Sequence, residues 1–143
     1  MELKSMLCGG TLPMSSLPLR TLLLVDDRAP ILQFRRAALE SLGYFVITAN
    51  TVPMALAKLD NCTVDAVLLE YKSEGMGAEA VAFHIKQRFP DLPIVLLSAY
   101  AGLPERILWL VDEYVMKSEP LEGLTHVFER VIHSSNVGRS KPA

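Results

Sequence analysis

The stretch Leu22-Leu23-Leu24-Val25-Asp26-Asp27 carries the reading of the whole chain. Four apolar residues in succession, with no alternation, describe a short strand buried on both faces, as in a parallel sheet covered by helices. The two carboxylates that follow put charge at the strand's carboxyl end, where open α/β sheets hold their ligands.

The pattern repeats outward. Pro30 to Leu42 has apolar residues at Ile31, Phe34, Ala38 and Leu42, which is helical spacing, and Gly43 suits the position after a helix end. Tyr44 to Thr48 reads as a strand, and Pro53 to Leu59 as a short helix with proline tolerated in its first turn. Val64 to Leu69 and Pro93 to Leu97 read as buried strands, separated by a helix over Glu79 to Phe89 that Pro90 closes. A brief helix over Leu103 to Leu110, a short strand over Tyr114 to Met116 and an amphipathic helix over Leu121 to Ile132 complete five repeats of strand then helix. Right-handed crossovers then put helices on both faces of a five-stranded parallel sheet, an α/β fold of three layers.

A chain of 143 residues, half of them apolar, suits one domain with one well-filled interior. Residues 1–19, with Gly9-Gly10, Pro13, Pro18 and several serines, read as a flexible arm, residues 20–134 as the domain, and residues 135–143, with Gly138 and Pro142, as a flexible tail. No apolar run approaches the roughly 20 residues that cross a bilayer. Met6-Leu7-Cys8 is too short for a signal-peptide core, so a cytoplasmic protein without membrane contact is expected. Residues 21–133 hold ten Lys/Arg and fifteen Asp/Glu, a net −5 that argues against a nucleic-acid partner. Arg35-Arg36, the adjacent basic pair in that stretch, reads as a solvated helix face. Cys8 and Cys62 fit neither a disulfide framework nor zinc-ligand spacing.

The strand ends collect the chemistry. Asp26 and Asp27 follow the first strand, Glu70 the third, Ser98 the fourth and Lys117 the fifth. Converging carboxylates repel unless a cation lies between them, and hard oxygen ligands of this kind suit Mg²⁺. A lysine and a hydroxyl suit a phosphoryl group held beside such a metal.

The Asp26-Asp27 pair closing an apolar strand, the segment Asp65-Ala66-Val67-Leu68-Leu69-Glu70, the pair Ser98-Ala99 and the segment Tyr114-Val115-Met116-Lys117 together resemble the receiver domain of bacterial response regulators, over about residues 20 to 133. The resemblance implies the flavodoxin-like (βα)5 doubly wound fold. It implies Mg²⁺ held by Asp26, Asp27 and the acceptor position, and phosphoryl transfer from a histidine kinase to an aspartate. It assigns Ser98 as the hydroxyl that follows the phosphoryl, Tyr114 as the aromatic rotamer switch and Lys117 as the phosphate-contacting lysine.

The departures from that family matter as much. The acceptor position holds Glu70, whose carboxylate reaches one methylene further, about 1.3 Å, and attack geometry is sensitive to errors of that size. Lys72, two residues on, either reaches the acidic cluster as a substitute for the metal charge or points into solvent from a loop. The loop from Lys72 to Gly77 lacks the proline usual there, and Ser118 separates Lys117 from any proline. With Lys117 only nineteen positions after Ser98 the fourth helix must be short, and its Trp109 reads as core more readily than as contact. His126 and His133 read as solvent-facing, nothing beside His84 marks a phosphorylatable histidine, Ser98 lacks a histidine to activate it, and no GxGxxG or Walker pattern occurs.

The expected function is an atypical, pseudo-receiver signalling module, not an enzyme, working by protein–protein interaction independently of aspartyl phosphorylation and requiring no cofactor, with Mg²⁺ bound weakly if at all. Expected partners are a histidine kinase or a downstream effector, or a second copy meeting through the fourth helix, fifth strand and fifth helix. The alternative is a phosphorelay receiver that still accepts a phosphoryl group with Mg²⁺. A metal-dependent phosphatase on the same cluster lacks a general acid or base better than the acidic pair.

Overall fold

The computed structural model describes residues 20–72 and 77–140. The arm over 1–19, with Cys8, and the loop residues 73–76 lie outside the described residues.

Strands β1 (Thr21–Val25), β2 (Phe45–Ala49), β3 (Ala66–Glu70), β4 (Ile94–Ser98) and β5 (Glu113–Met116) alternate with helices α1 (Ala29–Ser41), α2 (Val52–Asn61), α3 (Ala78–Arg88), α4 (Glu105–Leu110) and α5 (Glu122–Ser140). The strands form one parallel sheet in the order β2-β1-β3-β4-β5. This is the flavodoxin-like (βα)5 arrangement, with the change of direction in strand order between β1 and β3. A crevice for ligands therefore opens beyond the carboxyl ends of those two strands.

Strand pleating divides each apolar run between two cores. Leu23, Val25, Val67, Leu69, Ile94 and Leu96 pack with α2, α3 and α4. Their neighbours Leu22, Leu24, Leu68, Val95 and Leu97 pack with α1 and α5 on the other face. Fully burying one such side chain contributes about 1.5–3 kcal/mol, which is why unbroken apolar runs are retained. Local signals fix the helix ends. Thr51 Oγ1 accepts from the Met54 N–H at 3.1 Å, capping α2, and Pro30 and Pro53 lie in first turns where no N–H is needed. Gly43, at φ 99°, takes the left-handed position after α1 that other residues adopt only with strain.

Three expectations are corrected. Helix α5 runs on to Ser140, so residues 135–140 are helical rather than a tail. Gly138 costs a helix only about 1 kcal/mol, and residues 141–143 lie outside the described residues. The inward face of α1 carries Leu32 and Leu39, while Phe34 is 68% exposed. Trp109 on α4 is 81% exposed and takes no part in the core, because Ile107 fills the inward position of that short helix. Cys62 is buried among the core residues.

Phe128 of α5 is fully buried and meets the ring of Tyr44 edge-on at 5.5 Å between centroids. Phe128→Ala should lower the free energy of unfolding by about 3–5 kcal/mol, read as a lower urea midpoint at nearly unchanged slope.

Candidate functional site

Backbone hydrogen bonds set the strand tips side by side. The Asp26 N–H donates to the Ala49 carbonyl at 3.1 Å, Tyr71 N–H to Leu97 O at 2.8 Å, and Lys117 N–H to Ser98 O at 2.7 Å. Asp26 Oδ1 accepts from the Arg28 N–H at 2.9 Å, closing the turn that opens α1. Its residue is only 2% exposed, and Glu70, the last residue of β3, is also buried.

Two charge clusters meet there. In one, the Lys72 ammonium donates to Asp26 Oδ1 at 2.9 Å and also to Asp27 Oδ1. In the other, Glu70 Oε2 accepts from Lys117 Nζ and from Arg28 at 3.2 Å, while Glu70 Oε1 faces Arg35 at 3.4 Å. Arg28 joins the two, its Nε lying 3.5 Å from Asp26 Oδ1. Three carboxylates are thus surrounded by four cations. Of these, Lys72 is the least accessible, its side chain 11% exposed, against 32% for Lys117 and 47% for Arg28.

Burial alone pushes the Asp26 carboxyl up, but hydrogen bonds from Lys72 and the Arg28 N–H hold it below the ordinary carboxylate range. Burial likewise works against the Lys72 ammonium, and its bonds to Asp27 and Asp26 outweigh it, so its pKa lies above the usual lysine value. Both groups are charged at neutral pH.

Asp26 Oδ2 is buried with no hydrogen-bond donor among the described residues, one oxygen open to a cation. The other oxygens of the acidic pair that face inward are held by Lys72, and four positive charges already surround the three acids. Among the described residues no three His, Cys, Asp or Glu side chains are arranged to hold a metal ion. As arranged, the residues do not fit Mg²⁺, which needs several oxygens disposed octahedrally.

The residues singled out in the sequence divide. Asp26, Asp27, Glu70, Lys72 and Lys117 meet in one pocket. Ser98 is at the tip of β4, but its hydroxyl donates to Tyr100 O and accepts from Tyr100 N–H, both at 2.9 Å, so it is tied into its own turn. Tyr114 on β5 is exposed. Sequence reasoning missed Arg28 and misread Arg35. Of the basic pair, Arg36 does face solvent, pairing with Glu40 one turn on at 3.1 Å, whereas Arg35 turns inward to Glu70. The available signal was the spacing Leu32, Arg35, Leu39, an inward stripe interrupted by one charge.

Comparison with known proteins agrees with this architecture. The response regulator receiver domain family matches residues 22–128. The phosphate regulon transcriptional regulatory protein PhoB of Pseudomonas aeruginosa is 28% identical over 127 residues, covering 85% of this chain and 56% of that protein. The chain therefore spans little more than half the length of that relative. Among solved structures, the response regulator TrrA of Thermotoga maritima in complex with Mg²⁺-BeF superposes with a TM-score of 0.69 at 30% identity, covering 79% of this chain and 99% of that one. TrrA in complex with the histidine kinase ThkA matches with a TM-score of 0.68 at 30% identity, over 79% of this chain and 98% of the matched one.

The two pKa shifts fix a pH dependence. Asp26, lowered from an unfolded value of about 3.9, adds stability that is complete above that pH and is lost as the pH falls through its folded value. Lys72, raised, adds stability that is complete below about pH 10 and is lost as the pH rises through its folded value. Lys72→Met removes both contributions and leaves Asp26 buried without its strongest partner. At pH 7 it should cost about 3 kcal/mol in urea unfolding, and it should lose less than the parent protein on acidification from pH 5 to pH 3.

Proposed function

The chain belongs to the response regulator receiver family, and from that premise we propose that it is a receiver whose state does not depend on aspartyl phosphorylation. Receiver domains of response regulators are signalling modules, and this one is read as working by protein–protein contact. Glu70 takes the phospho-acceptor position of the family, and the observation that carries the reading is its engagement by Lys117, Arg28 and Arg35.

The chemistry supports this in two ways. A misplacement on the order of 1 Å at a reacting atom costs about 10²-fold in rate, and the glutamate's extra methylene is of that size. The carboxylate also brings charge toward the lysine, about −1 where a phosphoryl group would carry −1.5 to −2, so Glu70 imitates the modified state only in part. Lys72, bonded to both Asp26 and Asp27, supplies positive charge where a divalent ion would otherwise lie. On this reading Mg²⁺ is weakly bound and not required, and Ser98 and Tyr114 keep the family's places without its phosphoryl trigger.

The partner is read as a histidine kinase or a downstream effector, or a second copy. Leu108 and Trp109 of α4 and Tyr114 of β5 are exposed, and buried aromatic anchors dominate binding at protein interfaces. The second reading, a phosphorelay receiver that accepts a phosphoryl group with Mg²⁺, is favoured by the likeness to TrrA, whose structures hold Mg²⁺-BeF in one case and a histidine kinase in the other.

Incubation with acetyl phosphate and Mg²⁺, followed by intact-mass measurement, separates the two. The parent protein should gain no adduct of roughly 80 Da, the mass of one phosphoryl group, whereas Glu70→Asp should gain it in part. A stable adduct on Glu70 itself would establish the phosphorelay reading. If Glu70→Asp stays folded and inert, labelling that appears only when Lys72→Met is added identifies the ammonium as the block.

A further inference from the structure

Beside the charge cluster, on the α1 and α5 side of the sheet, lies a cavity of about 200 Å³. Its floor is Leu97 of β4, Val115 of β5 and Leu124 of α5, all buried residues of the core on that face. Its lining also includes Phe34 of α1, 68% exposed, and Leu121. The polar wall is formed by Arg35 and Lys117, and Glu119, exposed near Pro120, is the one acidic side chain in the lining. An apolar chamber opening onto two cations is the usual form of a small-molecule site: mostly apolar walls with a few placed polar groups.

We infer that this cavity binds a small free carboxylate carrying one ring, the ring on Leu97, Val115 and Leu124 and the carboxylate on Arg35 and Lys117. Size sets the first limit. A dry cavity of about 150 Å³ takes benzene, so the space here holds one ring and a short acidic arm, not a nucleotide. Donor supply sets the second. Arg35 and Lys117 already face Glu70, and Glu119 lies in the lining, so the handle for an anion is the donors these two cations leave unused rather than a surplus of charge. Arg35 contributes one nitrogen to Glu70 at 3.4 Å out of five N–H donors, and an ammonium such as that of Lys117 carries three. Phe34 is the third observation. It lines the cavity yet is 68% exposed, so it gains apolar contact when a ring enters beside it.

The cavity itself is present whether or not Glu70 accepts a phosphoryl group, but its two cations are those that hold Glu70. The bound carboxylate would share Arg35 and Lys117 with Glu70, giving the receiver an input from metabolite concentration.

Titration of the ¹⁵N-labelled full chain with phenylacetate, followed by amide shifts, tests it. Saturable shifts are expected at Leu97, Val115, Leu121 and Leu124, with a Kd on the order of 1 mM or tighter, as expected for a ligand of about ten heavy atoms. Phenylacetamide, which keeps the ring and loses the charge, should bind at least about tenfold more weakly, a difference of roughly 1.4 kcal/mol. Acetate alone should leave these amides unmoved. Ala38→Phe fills the cavity from α1 and should abolish saturation while the spectrum stays dispersed. Shifts that stay linear in concentration overturn the proposal, as does equal binding of the amide by the unaltered chain or saturation that survives in a folded Ala38→Phe protein.

Discussion

Three carboxylates drawn to the tips of two adjacent strands can be held there only by compensating positive charge. In this fold the acids are fixed first, because Asp26 and Glu70 belong to the ends of buried strands and move only if the sheet moves. Removing a carboxylate from water without a partner costs several kcal/mol, more than a marginally stable domain can spare. The positions of Arg28, Arg35, Lys72 and Lys117 follow from that requirement. They come from two loops, a helix and the end of β5, elements otherwise unrelated except that the parallel topology delivers all of them to one end of the sheet.

That explains what could be read from the sequence. A strand covered on both faces must be apolar at every position, so β1, β3 and β4 announce themselves as unbroken runs, and the residue after each run falls at the functional end by geometry alone. The acids were legible for that reason, whereas the sequence leaves Lys72 open between the acidic cluster and solvent. The direction of a side chain was not. Ser98 stands at the expected strand tip, yet its hydroxyl closes a turn with Tyr100, a choice of rotamer and loop path that no spacing encodes.

Helix faces were harder still. In α1 a reading by polarity follows Phe34 and Ala38, because Arg35 looks like an interruption. The structure instead buries Leu32 and Leu39 and uses the arginine between them as a bridge from helix to Glu70. An inward charge is costly only when unpaired, and its partner lies thirty-five residues away in β3, beyond the reach of any local pattern. Trp109 shows the converse: a large apolar residue on a helix of six has no obligation to face inward when Ile107 already does.

Signalling by a receiver requires two arrangements of similar energy and an input that interacts differently with each. A dissociable ion meets that requirement through its concentration. A lysine on the same chain does not, since its local concentration is set by the backbone and it can be neither supplied nor withdrawn. If Lys72 fills that role, the acidic pair is constant, and variation must arise among the groups around Glu70. Those are the looser ones. Arg28 is half exposed, and Lys117 lies at the accessible end of β5 with its N–H on the Ser98 carbonyl, three residues from the exposed Tyr114. Any agent that draws Lys117 away from Glu70 pulls on the edge strand directly. The route from pocket to surface then runs along four residues of backbone, a distance short enough that no larger rearrangement of the sheet is needed.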